Sequence, residues 1–83
     1  MKLENYQNRL IVEKDELDIK IKKLNRYIQS VNFIKLDTVD RELLIEQYHY
    51  MGLYHQILDQ RIERFNKNIL LQNTALSEAG NGI

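Results

Sequence analysis

The chain contains no cysteine and no proline, and its three glycines stand at positions 52, 80 and 82. The lack of cysteine excludes disulfides and thiolate metal sites, and it fits a reducing compartment. The lack of proline, with no glycine before position 52, leaves nothing to break a helix through most of the chain. Net charge is missing as well: 12 basic residues balance 12 acidic ones, so no overall field draws the chain to nucleic acid or an anionic membrane. Long apolar runs are absent, because charges interrupt every hydrophobic stretch, so no membrane span is expected. Lys2, Glu4 and Arg9 interrupt the N-terminal segment, which therefore does not read as a signal peptide.

Eighty-three residues make one domain with a thin core. Chains of this size commonly rely on disulfides, a metal or oligomerisation. With disulfides excluded, a homo-oligomer is the expected remedy, either a dimer or a tetramer.

What the chain does have is a heptad pattern. Leu3, Leu10, Leu17 and Leu24 recur every seventh residue, and Val31 continues the series. Gln7, Lys14, Ile21 and Ile28 form the companion seam, the alternating three-and-four spacing of a helix packed along one stripe. The pattern predicts a helix over residues 3–30, roughly 40 Å long. Val12 and Ile19 lie on its far side. Single exposed aliphatics are normal on a monomer, yet here they read as an assembly face.

Residues 31–37 form the predicted turn, where Phe33 and Leu36 would close the end of the core. Asp37 or Thr38 is placed to cap the next helix, and Asp40 and Glu42 sit where its dipole favours negative charge. The second helix is predicted over 38–70, with a helical extension over 71–79 and a frayed end over 80–83. The expected fold is all-α: an antiparallel hairpin of two long helices, spanning 1–79 with that extension, assembling into a multi-helix bundle.

Within the second helix, Leu44, Gln47, Met51, Tyr54, Leu58, Arg61 and Phe65 read as the inward face. Antiparallel packing then sets Leu24 against Leu44, Ile21 against Gln47, Leu17 against Met51 and Lys14 against Tyr54. It also sets Leu10 against Leu58, Gln7 against Arg61 and Leu3 against Phe65. This register matches polar seam residues with one another, which avoids unpaired groups at about 1–3 kcal/mol each. A second apolar line, Leu43, Tyr50 and Ile57, joins Val12 and Ile19 as the expected oligomer interface. Ile69 and Leu70 are assigned to the same interface, against the first helix of a neighbouring subunit. Gly52 reads either as a tolerated surface glycine or as a point of close approach.

No serine or cysteine nucleophile stands beside a histidine, and there is no phosphate-binding loop, so the chain reads as a non-enzyme without a cofactor. Glu46 and His49 give one E-x-x-H step, but carboxylate-bridged metal bundles need two such steps and two further glutamates. Lys20, Lys22, Lys23, Arg26 and Lys35 cluster near the hairpin tip, with Tyr27 and Phe33 available to stack bases. A charge run of this size more often marks a solvated helix face, so nucleic acid is not the expected partner. Tyr48, His49 and His55 are left without a packing role. With Arg61 they form the candidate binding set, because tyrosine offers rigid contact area and arginine can hold a phosphate.

The stretches YQNRLIVEKDELDIKIKKL, NFIKL and LLIEQYHYMGLYHQILDQRI together resemble a known family. The resemblance is carried by Tyr6-Gln7, Glu13, Leu17, Lys20, Leu24, Phe33, Leu36 and Leu43-Leu44. It continues through Gln47, Met51, Tyr54, Ile57-Leu58 and Arg61-Ile62. The family is that of short phage-encoded proteins related to an open reading frame of a crAss-like phage, and the likeness covers residues 5–65. It implies a phage or prophage origin and a helical hairpin, and it carries over no activity. Small accessory phage proteins often counter host defences. The expectation is therefore a non-enzymatic inhibitor that binds a host defence protein in the bacterial cytoplasm. Two alternatives stand beside it: a sponge holding a cyclic nucleotide signal at subunit junctions, and a structural or nucleic-acid-associated bundle.

Overall fold

In the computed structural model the chain forms α1 (Lys2–Ile28), α2 (Val31–Ile34) and α3 (Thr38–Asn81). Backbone is described for residues 2–81 and side chains for residues 6–68. Among the described residues there is no strand, and α1 and α3 pack along each other as an antiparallel hairpin. The hairpin measures 70 × 19 × 16 Å.

α3 starts at residue 38 as expected, α1 starts at Lys2 rather than residue 3, and both differ from the expectation in extent. α1 stops at Ile28 rather than residue 30, and the predicted turn contains the single helical turn of α2. Ser30 makes the break: its extended backbone (φ −88°, ψ 161°) leaves the helix, and its hydroxyl donates to the Tyr27 carbonyl at 2.6 Å. Phe33 N–H then donates to Ser30 O at 3.2 Å and Leu36 N–H to Phe33 O at 3.1 Å. No described residue has a positive φ, which is why the turn works without glycine. α3 opens as Arg41 N–H donates to Asp37 O at 3.0 Å, with Asp40 in its first turn. Its 44 residues form one continuous helix to Asn81, where the sequence suggested an end near residue 70 and a separate extension.

The core is thin. Leu10, Leu17 and Leu58 are buried, Leu58 completely, and Ile21, Met51 and Ile62 pack half-buried against them. On α1 the seam runs as predicted: Gln7, Lys14, Ile21, Leu24 and Ile28 are half-buried around the two buried leucines. Val31 does not continue it, since it opens α2 after the chain has turned and is 68% exposed. Phe33 and Leu36 are half-buried at the closed end.

On α3 the inward face is rotated relative to the expectation. Leu44, Met51, Leu58 and Phe65 form the shared line, but Tyr48, His55 and Ile62 complete it, and Gln47, Tyr54 and Arg61 are exposed. Both flanks carry the same heptad spacing, so periodicity alone does not choose between them. The structure chooses the flank that brings the aliphatic Ile62 into the core and leaves the Arg61 guanidinium outside, avoiding burial of a charge. Gln47 instead turns along its own helix towards Met51 Sδ, 3.8 Å away.

The facing pairs change accordingly. Lys14 forms an ion pair with Asp59 rather than lying on Tyr54, whose hydroxyl donates to Glu13. Gln7 Nε2 donates to Asn66 Oδ1 at 2.9 Å, and Arg61 meets Tyr6. Phe65 packs beside Tyr6, with ring centres 5.9 Å apart. The expected role of Leu3 lies outside the described side chains, as do those assigned to Ile69 and Leu70.

Candidate functional site

Polar groups gather at two places along the hairpin. The first is mid-seam, where Asp18, Lys14 and Lys22 of α1 meet His55 and Asp59 of α3. Lys22 Nζ lies 2.9 Å from Asp18 Oδ2, one helical turn away. His55 Nε2 stands 3.6 Å from Asp18 Oδ1, and His55 Nδ1 stands 3.7 Å from Asp59 Oδ2. Both separations exceed hydrogen-bond length. The hydrogen bond from Lys22 holds the Asp18 carboxyl below the usual carboxylate range. The hydrogen bond from Lys14 does the same for Asp59, and that contact in turn raises Lys14 above the usual lysine range. The Lys14–Asp59 pair joins α1 to α3, whereas the Lys22–Asp18 pair lies within α1.

The second place is the open end of the hairpin, where the start of α1 crosses the third quarter of α3. Arg61 Nη2 donates to Tyr6 Oη at 2.6 Å, and the guanidinium carbon lies 5.8 Å from the Tyr6 ring centre. Tyr6 and Phe65 are tilted at 40° to one another. Together with Ile57, Gln60, Arg64 and Asn68 they line an open cavity of about 420 Å³. The α3 contributors recur at three- and four-residue steps, which places them on one face of that helix.

The four candidate binding residues read from the sequence do not converge within the single chain. Tyr48 and His55 are half-buried in the α1–α3 seam, so both have a packing role that the sequence did not assign. His49 is exposed with its ring 5.6 Å from that of Tyr50. Arg61 lies thirteen positions from Tyr48, roughly 20 Å along the helix axis. Tyr6 was missed, although Tyr6 and Arg61 fall in consistent places once an antiparallel register is drawn. The expected interface residues Val12, Ile19, Leu43, Tyr50 and Ile57 are all more than half exposed in the single chain. Beyond its own helix backbone, no described residue comes within 4 Å of the position a Cβ on Gly52 would occupy.

Fold and surface thus define a small two-helix hairpin with an exposed apolar line and a cation–aromatic cavity at its open end. A family model described as Sequestin matches residues 4–64, a span that takes in both helices and the turn. The chain belongs to the Sequestin family. It is also 37% identical over 60 residues to an uncharacterized 7.5 kDa protein encoded in the denB–rIIB intergenic region of Enterobacteria phage T4. That alignment covers 72% of this chain and 94% of the T4 protein. No solved structure matches. The phage kinship implied by the sequence resemblance stands on this T4 relative, and neither match shows the narrower link to a crAss-like phage. Among the described residues no helix is long and apolar enough to cross a membrane.

Proposed function

We propose that the protein is a non-enzymatic phage accessory protein that sequesters a nucleotide signal of host defence in the bacterial cytoplasm. The observation that carries this reading is membership of the Sequestin family, whose name denotes holding a ligand back, across both helices of the hairpin. Sequestration requires affinity and abundance rather than chemistry, and the side chains offered here suit binding. Arginine, aromatic and amide groups share one open cavity. The test is a thermal-shift titration of the full chain against linear, cyclic mono- and cyclic oligonucleotides. A stabilisation of several degrees at micromolar ligand is expected, with the ligand recovered chemically intact after heat denaturation. A flat panel, or a ligand recovered as a hydrolysis product, removes the reading.

The working form is an oligomeric bundle. The line Leu43, Tyr50 and Ile57 on α3 supplies an apolar face of the kind subunits bury. Mass measurement in solution should give a dimer or larger, and Ile57→Glu should shift it towards the monomer.

Direct inhibition of a host defence protein is the second reading, and the same exposed line favours it. A monomeric chain that retains one host protein on a column, and loses it on Tyr50→Ala, would support inhibition over sequestration.

A further inference from the structure

We infer that the cavity at the open end of the hairpin is the phosphate-reading part of the ligand site, with Arg61 and Arg64 as its anion-binding groups and Tyr6 as its aromatic wall. The chemical class of the ligand rests on the sequestration reading, whereas the location rests on the geometry alone.

The cavity of about 420 Å³ lies within the range usual for small-molecule sites, roughly 300–1,000 Å³. Arg61 and Arg64 are three positions apart on α3 and line it together. Among the described residues, Arg61 donates to the Tyr6 hydroxyl, a neutral acceptor that occupies one of five guanidinium donors. A guanidinium is a planar fork whose donors match phosphate oxygens two at a time. The same hydrogen bond spans α1 and α3, so it fixes guanidinium and phenol relative to one another before any ligand arrives. Such preorganisation reduces the ordering entropy lost on binding. The Tyr6 and Phe65 rings, 5.9 Å apart, supply flat apolar surface beside the two cations, which suits a base attached to a phosphate.

Another groove, lined by Tyr48, His49 and Gly52 among others, has no lysine or arginine among the described residues of its wall. It therefore lacks the fixed positive charge that a phosphate requires. The Tyr6–Arg61 cavity also includes Ile57, the last residue of the exposed apolar line.

The experiment uses the full chain and the tightest binder from the nucleotide panel, with affinity measured calorimetrically. Arg61→Ala and Arg64→Ala should each weaken binding about tenfold or more, the loss of one charge-assisted hydrogen bond pair. Arg61→Lys, which keeps the charge and loses the fork, should fall between. Each loss should come with a shallower dependence of affinity on salt. Arg26→Ala at the far end of the hairpin should leave affinity unchanged, and far-UV circular dichroism should show every variant helical. Unchanged affinity in both Arg61→Ala and Arg64→Ala would overturn the location and leave sequestration standing. So would an equal loss in Arg26→Ala, because the binding would then be diffuse electrostatics. A panel in which nothing binds would overturn both.

Discussion

His55 Nε2 is buried 3.6 Å from Asp18 Oδ1 and has no hydrogen-bond partner among the described residues. The imidazole occupies a seam position that a leucine would fill by spacing alone, between Leu58 and Met51 in the heptad order. A polar nitrogen left unsatisfied in a seam is destabilising, and replacing it with an apolar group of similar size is commonly neutral or better. His55→Leu should therefore raise the unfolding free energy by about 1 kcal/mol, read from the urea midpoint at an unchanged slope. A drop would mean that the imidazole makes an interaction through water or another subunit that outweighs the lost packing.

Leu58 carries the opposite expectation. It is the only fully buried large side chain among the described residues, and it packs with Leu10 and Leu17 in a core of three. Leu58→Ala should cost about 2–5 kcal/mol, a large share of what so small a core supplies. Circular dichroism at 25 °C should show partial or complete loss of helix. An exposed counterpart such as Leu53→Ala should leave the spectrum intact.

Gly52 sits inside α3 with open space where a Cβ would go. Gly52→Ala should stabilise the hairpin by about 1 kcal/mol through helix propensity alone. Stabilisation together with unchanged solution mass and ligand affinity would mark a tolerated glycine. A fall in either property would show that a second copy or a ligand comes close to the backbone there.

The Lys14, Asp59, Asp18 and Lys22 contacts give a defined pH dependence. Asp18 and Asp59 titrate below the ordinary carboxylate range when folded. Their contribution is therefore present above about pH 4 and is lost as pH falls through the lowered values. Lys14 is raised, so its contribution persists at neutral pH and is lost only as pH rises through its elevated value. The thermal midpoint should fall on the acid side, and the Asp18→Asn, Asp59→Asn double variant should flatten that fall. These groups are solvent-accessible, so added salt should shrink the effect. An acid limb of the same depth in the double variant would assign the dependence to other carboxylates.

The primary structure determined the hairpin and the first of its two seams. The unbroken run from Leu3 to Leu24 left helix as the only regular arrangement for α1, and its leucines fall where burial is found at Leu10 and Leu17. The helix start at Thr38 was legible from the acidic and hydroxyl residues around it. The hand of the α3 face was not legible. Gln47, Tyr54 and Arg61 on one flank, and Tyr48, His55 and Ile62 on the other, share one spacing and a similar mixture of polar and apolar groups.

Only the packing of the two helices decided between those flanks, because the free energies of burying Ile62 and of keeping Arg61 wet enter together once α1 is in place. That decision moved Tyr48 and His55 into the seam and freed Arg61 to meet Tyr6, fifty-five positions away in sequence. A periodicity in one helix holds no information about such a pair. It exists because an antiparallel turn at Ser30–Asp37 returns α3 along α1 in a register fixed by Leu58 against Leu10 and Leu17.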